Sequence, residues 1–236
     1  MDTRLRLWGV WSAAAFIVMW LIGFLCFAQW VPPLPPSANA AEVAEIFRTR
    51  SVSILIGMVF MSLGAAFYLP WTMVLSTLIK EIEGKSYFLS GTQLTAGMMA
   101  SMTLFLPAFI WATAAFRPER NPEITQAIVD FGWLFFITPI GPFILQYAIL
   151  AVAIFMDKKA VPTFPRWAAF LQIWVSVSFL PGLAAFFMKT GPFAWNGLFV
   201  WWIPFTTFTG WFAVMIYLSR KAILRGEASP QPIETT

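Results

Sequence analysis

Hydrophobic residues run through this chain in long charge-free stretches, at about 8–30, 51–79, 91–116, 131–156, 167–188 and 196–219, and the charged residues lie outside them. A hydrocarbon layer of about 30 Å is crossed by roughly 20 apolar helical residues, so six such runs predict six helices. Strands are a poor alternative, because membrane barrels alternate apolar and polar positions over segments of about 10 residues, and these runs are apolar on every side. The expected fold is all-α: a polytopic transmembrane bundle of six spans in a single domain covering 1–225, with 226–236 as a disordered cytoplasmic tail.

The joints carry helix breakers, PPLPP at 32–36, GKS at 84–86, RPERNPE at 117–123, VPTFPR at 161–166 and TGP at 190–192. Asn121, Pro122 and Glu123 have the pattern of an N-cap, a first-turn proline and a first-turn acid, which moves the start of the fourth span back to about 124. AEVAEIFRTR at 41–50 reads either as a short interfacial helix or as an extension of the second span. The A-x-A pattern at 38–40 resembles a signal-peptide cleavage site, but the preceding apolar run exceeds the roughly 7–15 residues of a signal core, so residues 8–30 are read as a span.

Charge then orients the bundle. With the amino terminus inside, Arg4, Arg6, Lys80, Lys85, Lys158, Lys159, Arg166, Arg220, Lys221 and Arg225 lie on the cytoplasmic side, against Arg48, Arg50, Arg117, Arg120 and Lys189 outside. This 10-to-5 split predicts both termini in the cytoplasm. Only 11% of the 236 residues are charged and 59% are hydrophobic, with mean hydropathy +0.75, whereas soluble domains carry about 25% charged residues. The net charge of +4 is spread over the ends of apolar runs and gives no nucleic-acid patch. With Cys26 as the sole cysteine and no histidine at all, an intramolecular disulfide, histidine-based zinc or haem sites and Ser-His-Asp chemistry are excluded. No cofactor is implied, and no paired nucleophile and base are recognisable, so the chain leans away from an enzyme.

Candidate binding residues come from weak points in the helices and from polar groups inside them. Pro70, Pro107, Pro139, Pro142, Pro181 and Pro204 each remove a backbone donor from a span. The sequence Thr138-Pro139-Ile140-Gly141-Pro142 puts two prolines and a glycine in one turn, which predicts an interrupted fourth span of the kind that lines substrate sites. An outward-opening cavity among the third to sixth spans is expected there, walled by Trp133, Phe135, Phe136 and Trp174. Asp130 is the one carboxylate within a span, about 12 Å along the helix from Pro122. It reads either as a functional acid or as an ion-pair partner of Arg117, Arg120 or Lys189. Gln93, Gln146, Gln172 and Asn196 either line the pocket or tie helices together, and Thr206, Thr207 and Thr209 are placed to satisfy carbonyls freed by Pro204. Gly97 with Ser101, and Ala96 with Ala100, give the third span a small-residue face for another helix.

FPRW at 164–167, FLPG at 179–182 and GPFAWNG at 191–197, with AFRPERNPE at 115–123 and DFGW at 130–133, resemble a family of small bacterial integral membrane proteins that carry no assigned function. The likeness runs from the PPLPP segment to the last span and implies a bacterial inner membrane, but it transfers no site residues. Two functions are expected from these features: binding or transport of a small apolar or amphipathic molecule at the broken fourth span, or a structural or regulatory role packed against other membrane subunits. Membrane lipids are the implied surroundings in either case.

Overall fold

The computed structural model describes residues 2–228. Among them every regular element is helical: α1 (Thr3–Leu21), continued by a π-helical turn at Ile22–Phe27, α2 (Ala40–Thr49), α3 (Ser51–Ala66), α4 (Tyr68–Glu83), α5 (Phe88–Phe116), α6 (Pro122–Ile137), α7 (Gly141–Met156), α8 (Trp167–Phe179) with a 3-10 stretch at Leu180–Phe186, and a π-helical turn at Leu198–Trp202 leading into α9 (Ile203–Ala228). Six segments are long and apolar enough to cross a membrane: Thr3–Phe27, Ser51–Glu83, Phe88–Phe116, Pro122–Met156, Trp167–Phe186 and Leu198–Gly226, here spans 1 to 6. Their outward faces carry large apolar side chains such as Trp8, Val52, Met99, Phe170 and Tyr217, as a lipid-facing surface requires.

Helix breaks follow the prolines with one rule. Pro70 is the third residue of α4, Pro122 the first of α6, Pro142 the second of α7, Pro181 the second residue of the 3-10 stretch and Pro204 the second of α9. In the first turn of a helix the missing N–H has no partner to lose, so breaking the span just ahead of each proline removes the penalty. Pro107 alone among these stays inside an unbroken helix. The fourth span is interrupted as expected: α6 ends at Ile137, α7 begins at Gly141, and the Leu134 carbonyl accepts both the backbone N–H and the hydroxyl of Thr138.

Neighbouring spans follow chain order around a closed ring. Span 1 packs on span 2, span 2 on span 3 and so on to span 6, whose α9 returns to pack on α1. α4 also reaches α7 across the ring. Close approach is bought with glycine in two places: a Cβ on Gly23 falls 2.5 Å from the Gly57 carbonyl, and one on Gly57 falls 2.7 Å from that of Gly23.

The joint between spans 1 and 2 is a packed structure. Asn39 and Glu42 form a reciprocal capping box at the start of α2, which lies against α6 and buries Val43, Ala44 and Phe47. Residues 41–50 are thus a separate helix, not an extension of the second span. The Arg50 guanidinium donates to the carbonyls of Ala28 (2.8 Å) and Phe27 (3.4 Å), and Ser53 Oγ also donates to Phe27 (2.7 Å). A cation placed on the last carbonyls of span 1 complements both its unpaired acceptors and its dipole. Gln126 Nε2 donates to the Ala38 carbonyl and Trp195 Nε1 to that of Leu34, fastening the proline-rich loop to span 4 and to the joint ahead of span 6.

α9 continues to Ala228, and residues 229–236 of the expected tail lie outside the described residues.

Candidate functional site

A cavity of about 90 Å³ lies where the irregular segments of spans 4, 5 and 6 meet. Span 4 contributes Phe136, Ile137, Ile140 and Phe143 from either side of its break. Span 5 contributes Phe179 and Gly182, and span 6 contributes Val200, Trp201, Pro204, Phe205, Phe208 and Thr209. Leu104 of α5 and the Phe16, Ile17, Trp20 and Leu21 stripe of α1 close the remaining walls. The break in span 4 falls near its midpoint, so the cavity sits near the middle of the bundle and extends toward the side that carries α2.

The wall is hydrocarbon. Thr209 supplies the one side-chain hydroxyl, and that hydroxyl donates to the Phe205 carbonyl at 2.8 Å. Trp20 and Trp201 line the cavity with their rings, while their indole nitrogens are shielded from solvent and without a hydrogen-bond partner. The volume exceeds the roughly 10–15 Å³ that one water needs, but a water there finds no polar partners, and apolar voids of this kind stay dry and accept apolar guests. Small-molecule pockets run to about 300–1,000 Å³, so a narrow guest fits better than a bulky one.

Beside the cavity, on the α2 side, the indoles of Trp30, Trp111 and Trp133 form a triangle with ring centroids 4.7, 5.0 and 5.5 Å apart. All three rings are almost completely buried and their N–H groups have no conventional acceptor. The rings are inclined to one another at 53–69°, the edge-to-face range that aromatic pairs favour. Trp111 fits because residue 132 is glycine: a Cβ there falls 2.4 Å from Trp111 Nε1.

The glutamines form a separate group. Thr72 Oγ1 accepts from Gln93 Nε2 and Gln146 Nε2, each at 3.0 Å, and Tyr68 donates its hydroxyl to Gln146 Oε1 at 2.7 Å. These four side chains are fully buried and tie α4, α5 and α7 together. Gln172 belongs to another tie: its Oε1 accepts from Trp211 Nε1 at 2.6 Å, and its Nε2 donates to the Ala168 carbonyl at 3.1 Å. The amides therefore join helices and none of them lines the cavity.

The remaining expected site residues also stand around the cavity, not in its wall. Trp133 belongs to the indole triangle, Thr138 caps α6, Pro139 occupies the break, and Gly141 is exposed with Pro142 beside it. Asp130 is partly buried, and the charge that acts on it is that of Lys189, although it forms neither of the two ion pairs found among the described residues, Arg6–Glu81 and Arg48–Glu45. Of the aromatics expected as walls, Phe136 alone is one; Trp174 is 61% exposed and faces outward. Thr206 and Thr207 donate to the carbonyls of Trp202, Ile203 and Pro204, flanking the proline, and not to Val200, which stands four residues before it.

The small-residue face of α5 receives another helix as expected, and that helix belongs to the bundle: Ala96, Gly97, Ala100 and Ser101 are all buried, and a Cβ on Gly97 falls 1.9 Å from Thr72 Oγ1. The cavity was expected among the third to sixth spans; the wall from span 1 was missed because nothing in the sequence announces that the first and last spans are neighbours. Their spacings, 16, 17, 20, 21 and 201, 204, 205, 208, are nonetheless those of one helical face each.

No protein-family model, curated protein or solved structure matches the chain.

Proposed function

We propose that this chain is a multi-pass protein of a bacterial inner membrane, with both termini cytoplasmic, that binds or carries a small apolar molecule in the cavity at its broken fourth span. The observation that carries this reading is the coincidence of the cavity with three helix irregularities, in spans 4, 5 and 6. Continuous helices in lipid satisfy their own backbone, so an irregularity has a cost, and three irregularities converging on one apolar cavity are a coherent arrangement for a site. Carriage uses changes in the proline-bounded segments around the guest and no bond chemistry. The location and orientation rest on six apolar segments, an even number that returns the chain to its starting side, and on the excess of Lys and Arg at the joints on the terminal side.

The alternative, a subunit that docks on partners through the small-residue face of α5, loses its named surface because spans 2 and 4 already occupy that face.

The test is thermal unfolding in detergent with and without n-dodecane or palmitate, for the parent and for Val200→Phe and Leu104→Trp. Both replaced side chains are buried in the cavity wall. The parent gains stability from the probe, and the filled variants lose that response while remaining folded. A probe effect that survives both fillings sinks the proposal, as does a parent that responds to neither probe.

A further inference from the structure

We infer that the cavity opens sideways, through a gap between spans 1 and 6, and that its guest is an acyl chain of a phospholipid from the leaflet on the α2 side. This rests on the binding role proposed above and adds the ligand and its route.

Phe16, Trp20, Leu104, Ile140 and Phe143 close the interior side of the wall and are buried. At the span 4–span 5 contact Phe136, Ile137 and Phe179 are partly exposed, but the backbones approach closely there: a Cβ on Gly182 already falls 3.2 Å from the Ile137 carbonyl. The seam between α1 and α9 is different. Phe16 packs on Phe208 and Phe212 at 6.5 and 5.3 Å between ring centroids, which shows the faces that these two helices turn to each other. At that contact and on its α2 side the seam is bordered by Ile17 and Leu21 from α1 and by Phe205 and Thr209 from α9. Each pair is one helical turn apart, and all four are partly exposed although they line the cavity. Beside them Val18, Leu25 and Trp202 are exposed apolar side chains, so the seam meets hydrocarbon.

The occupant follows from three features. The part of the guest inside the cavity needs no polar group, because the hydroxyl of Thr209 is already bonded to the Phe205 carbonyl. About 90 Å³ holds a few methylenes and not a ring system with substituents. A lateral opening near mid-bundle is reached from within the leaflet by a chain whose polar head stays at the surface. An acyl chain meets all three conditions and is the bulk component of the phase outside the gap.

Photolabelling tests this directly. The full-length protein is reconstituted into vesicles containing a phosphatidylethanolamine with a diazirine on one acyl chain, irradiated, and mapped by peptide mass spectrometry. Adducts are expected on the interior residues Ile140 and Phe143 as well as on the outer Val18 and Trp202. Thr209→Trp, or Leu21→Trp if the first lowers the melting temperature, removes the interior adducts at least five-fold and spares the outer ones. Interior labelling by a diazirine fatty acid but not by the phospholipid overturns the phospholipid as occupant and leaves the binding role standing. Interior labelling that persists in both plugged variants overturns the portal. A parent labelled only on its outer residues by both probes, while Val200→Phe and Leu104→Trp still abolish the dodecane response, overturns the acyl-chain guest alone.

Discussion

Gly97 is the position at which the smallest possible change tests the packing of this bundle. In Gly97→Ala the added methyl falls 1.9 Å from Thr72 Oγ1 and 2.8 Å from both Thr72 Cβ and Gln146 Nε2, inside the tie that joins α4, α5 and α7. Thr72 Oγ1 accepts from two amides, so turning it away breaks both bonds together. Overpacking a buried site costs about 1–3 kcal/mol, and hydrogen bonds between membrane helices average about 0.6 kcal/mol each. With about 2 for the first and about 1.2 for two bonds, the variant loses about 3 kcal/mol. Reversible unfolding in mixed micelles, with the mole fraction of denaturing detergent as the variable, measures this. Thr72→Ala by itself strands two buried amide donors and costs about 1–3 kcal/mol. In the double variant the atom at 1.9 Å is gone and the bonds were already lost, so the two costs combine to at least 1 kcal/mol less than their sum. A Gly97→Ala loss under about 0.5 kcal/mol, or strict additivity in the cycle, refutes the shared-acceptor account.

Other changes have equally definite outcomes. Gly132→Ala brings a methyl to 2.4 Å from Trp111 Nε1 and 2.7 Å from its Cδ1, and it should cost about 2 kcal/mol and weaken the near-ultraviolet dichroism of the indole triangle. Gly210→Ala has nothing within 4 Å in the middle of α9 and should instead raise stability by about 0.5–1 kcal/mol in the same unfolding assay. Glu83 accepts from the Leu89 and Ser90 backbone N–H groups and from the hydroxyls of Ser86 and Ser90, capping α5 from the end of α4; Glu83→Ala should lose about 1–2 kcal/mol, and a thermal shift of zero rejects the cap. Partial burial pushes the Asp157 carboxyl up, but backbone N–H donation from Thr163 and Lys159, a further bond with the Thr163 hydroxyl and the Lys159 charge outweigh it and hold it below the usual carboxylate range. Its stabilisation is therefore complete above the ordinary carboxylate pKa and lost as pH falls through the lowered one, so Asp157→Asn should flatten the acid limb of a stability profile measured below pH 5, and an unchanged slope there contradicts this.

The architecture was legible where the physics is one-dimensional. Run length announced six helical segments long and apolar enough to cross a membrane, and two prolines and a glycine within five residues announced the break at Thr138–Pro142, because both signals depend only on near neighbours in sequence. The cavity was half legible: its place at that break was foreseeable, whereas its walls from Phe16, Trp20, Phe205 and Phe208 depend on which helices are adjacent. Of the two readings the sequence left for Gln93, Gln146 and Gln172, the tie between helices is the one found, since in an apolar interior an amide gains most by meeting another polar side chain, and each does so. Arg50 was counted only as a topology signal. Its role on the end of span 1 depends on a π-helical turn that no local pattern discloses.

The circular order of the spans bears on how the molecule is made. As segments leave the insertion machinery, each meets the neighbour synthesised just before it, and the four seams among spans 1 to 5 can form before the last span is made. The two seams of α9, with span 5 and with α1, close together at the end. Until α9 arrives the interior is an open trough facing the bilayer, filled by whatever hydrocarbon lies there, so the last step of assembly must either expel that content or close over it. A chain truncated ahead of Leu198 would keep the trough permanently open, with α1 still held by α3 and α4 but uncovered on the side that α9 takes.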